Sequence, residues 1–288
     1  MPPSARVVVT GAAGQVGREV VARFQSIPNT SVVGLTRADC DASDYHQVMQ
    51  RLVPLEPDLI VHAAAWTDVD GCEGDATTAY LHNGLAVRHV RLAAQRAAAD
   101  LMHISTDYVF DGLGNSPYRE WDATGPLSAY GQSKLAGEKE ALLYDRAFVV
   151  RTSWVVGSGR NFVRAIRQRA DSGQPVKVVT DQRGRLTVAC DLADALAMLW
   201  RSGRYGLWHI ANPGECTWHD VAVEALGLAK LDVSVGTMTT AELGRPAPRP
   251  AYSVLDDSLW LASGFAPLPS WREAMAANFD VISGVTDG

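Results

Sequence analysis

The stretch "VVVTGAAGQVGREVVARF", residues 7–24, decides the fold. A short apolar run is followed at once by Gly11, Gly14 and Gly17 and then by an amphipathic pattern of helical period. Glycine is needed at such a corner because the turn is tight, because the backbone must approach a pyrophosphate without a Cβ, and because the helix must pack closely on the strand. The helix N-terminus then offers free N–H groups and a positive dipole end to the phosphates. The plainer alternative is a Gly-rich turn that holds nothing. Its position at the first strand of an alternating chain favours the dinucleotide.

Outward from this corner, short apolar runs recur: "SVVGLT" (31–36), "DLIVHAAA" (58–65), "LMHIST" (101–106) and "AFVVRTS" (147–153). Helical patterns lie between them near 43–53, 76–99 and 129–144. Strands of four to eight residues alternating with longer helices are the sequence form of βαβ units, so the expected fold is α/β, a doubly wound parallel sheet of Rossmann type. After residue 153 the rhythm breaks up. "LTVACDLADALAMLWRSG" reads as a strand or loop entering a helix that stops at Gly203, and "GLWHIAN" reads as one more buried strand. "GRPAPRPAYSVLD" carries three prolines in seven residues and reads as a loop lying over another part of the molecule. The expected division is a dinucleotide-binding domain of residues 1–152 and 187–211, with a smaller substrate-binding lobe of 153–186 and 212–288.

The 288 residues are 47% apolar and 20% charged with a net charge of -6, and no Lys/Arg block stands out, which argues against nucleic acid or an anionic membrane as partner. Cys40, Cys72, Cys190 and Cys216 are scattered without metal-ligand or disulfide spacing. A reduced, cytoplasmic setting is expected, without a bound metal. No signal peptide and no apolar stretch of membrane-spanning length is read in the chain.

"SAYGQSKLAGE" (128–138) places Tyr130 and Lys134 four positions apart, on one face of a helix. A free tyrosine is a poor proton donor at neutral pH, and a nearby ammonium is expected to lower its pKa into a useful range. Exposed tyrosine and lysine is the plain alternative. "HISTDYVFDG" weighs against it, because it ends a buried strand with Ser105, Thr106 and Asp107 at the carboxyl edge, where ligands sit in such folds. Thr106 is placed to hydrogen-bond the same substrate oxygen that Tyr130 protonates. At the end of the second strand stands Arg37, where an acid would select NADH; a guanidinium suits a 2′-phosphate, so NADPH is expected, while Asp41 keeps NADH in play.

These motifs resemble the extended short-chain dehydrogenase/reductases, and more narrowly the dTDP-4-dehydrorhamnose reductases. Matching segments include "GAAGQVG", "STDYVFDG", "YREWDATGPLSAYGQSKLAGE", "RTSWVVGSGRNFV", "DQRGRLT", "RPAYSVLD" and Asn83 in "LHNGLAV". The resemblance implies an oxidoreductase that transfers hydride from a nicotinamide cofactor to the 4-keto carbon of a dTDP-6-deoxy-hexulose. It assigns Tyr130 as general acid, Lys134 to the nicotinamide ribose, Thr106 to the keto oxygen, Asp107 to the substrate pocket and Trp154 to the sugar. Gln15 and Val16 join the glycines at the pyrophosphate, Asp41 and Ala42 meet the adenine side, and Ala64, Ala65 and Thr67 form the wall beside the cofactor. Some family members form homodimers with magnesium; no carboxylate cluster in the sequence singles out such a site.

The chain departs from the family pattern at His62, where asparagine is usual, at Val156, where an aromatic is usual, and at Leu186, where proline is usual. His62 reads as a packed strand residue, and the other two are expected on the substrate side. The alternatives are another nucleotide-sugar enzyme (an epimerase, a 4,6-dehydratase or a 4-ketoreductase of secondary-metabolite deoxysugars) and a non-catalytic regulator similar to the β subunit of methionine adenosyltransferase. A dehydratase of this kind carries an Asp-Glu pair after the active-site threonine; here Asp107 is followed by Tyr108.

Overall fold

Val7 and Val9 face one side of a parallel sheet and Val8 the other, and each side is covered by its own helices. The structure is a computed structural model that describes residues 5–284; residues 1–4 and 285–288, the outer ends of the two expected lobes, lie outside the described residues. The first half alternates regularly: β1 (Ala5–Thr10), α1 (Gln15–Gln25), β2 (Thr30–Leu35), α2 (Tyr45–Leu52) and β3 (Leu59–His62). α3 (Val69–Gly74), α4 (Ala76–Tyr80), a π-helical turn (Leu81–Leu85) and α5 (Ala86–Ala97) lead to β4 (Asp100–Thr106), α6 (Ala129–Ala141) and β5 (Ala147–Thr152). Then come β6 (Val155–Val156), α7 (Phe162–Asp171), β7 (Val176–Val179), β8 (Arg183–Gly184), β9 (Thr187–Val188), α8 (Ala189–Ser202) and β10 (Gly206–His209). β11 (Cys216–Thr217), α9 (Trp218–Leu228), β12 (Val235–Met238) and short C-terminal helices complete the described residues.

The main sheet runs β2-β1-β3-β4-β5-β10 with every neighbouring pair parallel, the doubly wound arrangement expected from the alternation. On one face, Val7, Val9, Leu59 and Val61 pack with Val20 and Phe24 of α1 and Leu192, Leu196 and Leu199 of α8. On the other, Val8, Ile60, Leu101 and Val149 pack with Val48 and Leu52 of α2 and Val87 and Val90 of α5. Each such fully buried side chain contributes about 1.5–3 kcal/mol, so the two faces hold the sheet between them. Trp260 and Phe265 also pack on Trp208 of the main sheet, although their segment was expected in the smaller lobe.

Helix ends follow local chemistry. Asp44 caps α2 by accepting from the backbone N–H groups of His46 and Gln47, and Ser128 and Asn161 cap α6 and α7 in the same way. α8 ends at Gly203 in a left-handed conformation, as its sequence position suggests.

The remaining strands form small pairs: β6 with β9 and β8 with β11 lie at a separate core that includes Val156, Val163, Leu186, Val221 and Trp271, and β7 with β12 at an adjoining one with Ile166, Val176, Val178 and Leu226. Val156 and Leu186 are buried in the first of these cores, so these two departures from the family pattern fall on packing positions of the smaller lobe. The proline-rich loop lies across the junction. Its Ser253 N–H donates to Arg183 O at 2.8 Å, Tyr118 N–H donates to Val254 O at 2.8 Å, and Arg249 forks onto Asp70 with two contacts of 3.1 Å.

Candidate active site

Gly11 takes φ +72°, and a Cβ there would come within 2.6 Å of the Ala64 nitrogen in the loop just after β3. A Cβ on Gly17 would overlap the Gly11 carbonyl oxygen, so α1 can start this close to β1 only with glycine. The corner therefore leaves an open cradle at a helix N-terminus. Gln15 beside it is anchored through Nε2 to Arg160 O at 2.9 Å, while its Oε1 is buried without a partner. A missing Cβ and a helix start fit a diphosphate-bearing cofactor at this place.

α6 approaches the end of β4 because its own glycines allow it. A Cβ on Gly131 or Gly137 would strike the Tyr108 or Asn83 carbonyl oxygen. Tyr130 and Lys134, one turn apart, thereby open on a cavity of about 370 Å³ together with Thr106, Trp154 and the glycine turn at Gly14–Gly17. Gln15, Val16, Ala65 and Thr67 line it as well. A second cavity of about 270 Å³ is bordered by Gly11, Arg37, Asp41, Ala42 and Ala64. The structure thus brings the predicted residues together in two adjoining hollows, with one exception.

That exception is Asp107. Its carboxylate is 2% exposed and faces inward, where Oδ2 accepts from Ser153 Oγ at 3.0 Å and from Ser253 Oγ at 2.5 Å, and Oδ1 accepts from Thr106 Oγ1 at 3.1 Å. It does not line the cavity as expected; it holds the residues that do. Burial pushes its pKa up to about 6, against the three hydroxyl donors that favour the charged form.

The electrostatics of the pair also differ from the sequence reading. Burial pushes Tyr130 well above the usual phenol range, opposed by the neighbouring Thr106 hydroxyl. Lys134 Nζ donates to Ile104 O at 2.6 Å and is itself lowered to about 8 by desolvation, with Glu138 working the other way. The expected lowering of Tyr130 by Lys134 is not found: desolvation sets the direction, and Lys134 is not among the groups that shift it. A phenol kept neutral is the state needed to give a proton to an oxygen that gains negative charge.

Trp154 borders the cavity, but its ring is stacked on Trp218 at 3.9 Å and lies against Gly184. Its φ of +45° is a left-handed backbone for a bulky residue, held by that packing. His62 is a strand residue in the interior; its Nδ1 shares a 2.7 Å hydrogen bond with Thr10 Oγ1, and burial lowers its pKa to about 3.

Sequence reasoning left three parts of the site unassigned. Asn83 accepts from Trp66 N–H at 2.8 Å and donates to Trp66 O at 3.0 Å and Ser133 Oγ at 3.1 Å, fixing the loop after β3 against α6. Glu138, one turn beyond Lys134, accepts from Ser105 Oγ at 2.5 Å and from Arg151 at 2.8 and 2.9 Å, which locks α6 to β4 and β5. A third cavity of about 290 Å³ is lined by Tyr108, Phe162, Trp218, Lys177, Arg245 and Arg249. The YxxxK spacing continued to residue 138 was the available signal for Glu138; nothing local marked the third cavity.

With the glycine corner and the Tyr130–Lys134 turn opening on one cleft of a doubly wound sheet, the molecule falls into the class of extended short-chain dehydrogenase/reductases. The RmlD substrate binding domain family matches residues 5–283. The chain is 40% identical over 292 residues to a dTDP-4-dehydrorhamnose reductase of Streptomyces griseus, covering 98% of this chain and 95% of that protein. It is 40% identical over 279 residues to a probable dTDP-4,6-dihydroxy-2-methyloxan-3-one 4-ketoreductase of Streptomyces antibioticus, covering 95% and 94%. The crystal structure of the Bacillus anthracis dTDP-4-dehydrorhamnose reductase in complex with NADP superposes with a TM-score of 0.92 at 34% identity, covering 96% of this chain and 99% of that one. The chain belongs to the dTDP-4-dehydrorhamnose reductase family.

Proposed function

We propose that this protein is an NADPH-dependent reductase of the 4-keto group of a dTDP-6-deoxy-hexulose, giving dTDP-L-rhamnose or a close relative, with Tyr130 as general acid. The observation that carries the reading is a buried phenol one helical turn from Lys134, in the same cavity as Thr106 and the glycine turn.

Gly11, Gly14, Gln15, Val16 and Gly17 would hold the pyrophosphate; Asp41 and Ala42 the adenine side; Ala64, Ala65 and Thr67 the wall; and Lys134 the nicotinamide ribose. When bound, the reduced nicotinamide supplies the hydride for carbon 4. Thr106 would align the keto oxygen by turning its hydroxyl proton to it from Asp107, its partner in this structure, and Tyr130 gives that oxygen a proton as it becomes an alcohol. Trp154 closes the sugar end of the cleft. The third cavity suits the nucleotide half of the substrate: Phe162, Trp218 and Tyr108 offer aromatic faces for a base, and Lys177, with Arg245 and Arg249 sharing the one carboxylate of Asp70, leaves an excess of positive charge for a diphosphate. A dehydratase needs a second acid after the threonine, and Tyr108 with its strongly raised pKa does not supply one.

Among the described residues no helix is long and apolar enough to cross a membrane. Four free cysteines, three of them buried, suit work in a reducing cytoplasm.

The test is a product assay by NMR with a panel of dTDP-4-keto-6-deoxy sugars, following NADPH consumption in parallel. One cofactor oxidised per alcohol formed at carbon 4 supports the reading. A tightly bound NAD that is not consumed, with an epimerised or dehydrated product, overturns it.

A further inference from the structure

The adenosine-side cavity contains a side chain that no motif accounts for. His82 borders it together with Thr36, Arg37 and Asp41, facing the glycine corner at Gly11 and Gly14. It sits on the π-helical turn Leu81–Leu85, where the widened turn changes which residues face each side; such turns recur at functional sites. The next residue is the Asn83 that is clamped to the Trp66 backbone, so the position of His82 beside the cavity is fixed from its neighbour.

The charges around it are arranged in a row. Arg37 Nε meets Asp41 Oδ2 at 3.4 Å, and Arg37 Nη2 meets His82 Nε2 at 3.4 Å. The Arg37 side chain is 74% exposed, leaving most of its five N–H donors free of protein partners. One oxygen of Asp41 is held by its own loop, its Oδ1 accepting from Ser43 N–H at 2.9 Å and Ser43 Oγ at 2.6 Å, while Oδ2 stays on the Arg37 side. An arginine paired with a carboxylate is by itself a weak seat for a dianion, because the acid offsets much of its attraction. A guanidinium only donates, so His82 Nε2 accepts from Arg37 and the imidazole carries its N–H on Nδ1; that N–H is the donor the ring can turn to an anion, and the acid does not offset it.

We infer that His82 completes, with Arg37, the seat of a ribose 2′-phosphate, and that His82 is the residue that sets the preference for the phosphorylated over the unphosphorylated dinucleotide. Asp41 takes the ribose hydroxyls when the phosphate is lacking, the role an acid plays in sites that accept NADH. The inference rests on the reading that the glycine corner holds a nicotinamide dinucleotide.

The test is binding without any sugar substrate. NADPH and NADH are titrated by calorimetry into the full chain and into His82→Ala and His82→Gln, with adenosine 2′,5′-bisphosphate and AMP as fragments. Expected is a loss of about tenfold in NADPH affinity for His82→Ala, roughly one charge-assisted hydrogen bond, with NADH changed by less than about twofold. His82→Gln, which keeps an N–H donor of similar reach, recovers part of the loss, and the bisphosphate follows NADPH while AMP follows NADH. Equal weakening of both dinucleotides, or an unchanged ratio, overturns the inference while leaving the cofactor reading standing. If the unaltered protein binds neither dinucleotide, the cofactor reading itself has failed and the inference falls with it.

Discussion

Ser253 donates its hydroxyl proton to the buried carboxylate of Asp107 at 2.5 Å, joining the proline-rich loop to the strand end that carries Thr106. The contact spans 146 residues and makes the active-site floor depend on a segment far away in the chain. Because burial raises Asp107 to about 6, its folded pKa exceeds its unfolded value, so the native state binds the extra proton between about pH 4 and 6. The contribution of this group to stability is therefore full below about pH 4 and is lost as pH rises toward 6. In Asp107→Asn that slope should flatten, by up to about 3 kcal/mol between the two limits, in urea unfolding at a series of pH values. A slope identical to that of the parent protein would refute the assignment.

Tyr130→Phe removes the phenol and keeps the ring, including its edge contact with Tyr108. Turnover should fall by about 10²-fold or more while NADPH affinity is retained. Loss of NADPH binding with unchanged turnover per bound cofactor would contradict a role as acid.

Lys134 is lowered to about 8 by burial, so its ammonium is present below that pH and disappears above it. Tyr130 is shifted the other way and stays protonated across this window. The kcat/KM profile of the free enzyme for NADPH should accordingly bend downward as pH passes about 8. Lys134→Met should lack that bend and show weak cofactor binding at every pH; a bend that persists in this variant belongs to another group.

Gly17→Ala places a methyl group on the Gly11 carbonyl oxygen, which is backbone and cannot swing aside. The helix start must shift, costing roughly 1–3 kcal/mol and closing the cradle. Thermal unfolding should report a lower Tm, and NADPH titration a weaker site. A variant as stable as the parent would mean the corner is looser than its geometry.

Local spacing made much of this molecule readable from the chain. The alternation of Val7, Val8 and Val9 assigns two sheet faces, the glycine corner assigns a cradle at the first helix, and the interval between Tyr130 and Lys134 assigns one helix face. Each is a periodicity or a steric demand written within a few residues, so it needs no knowledge of the rest. Only the tertiary structure decided that Asp107 faces inward to Ser153 and Ser253, that Trp154 stacks on Trp218, and that His82 meets Arg37 from 45 residues away. It also decided that Tyr130 is raised rather than lowered, because desolvation depends on everything packed around a group, which the spacing to one lysine does not reveal.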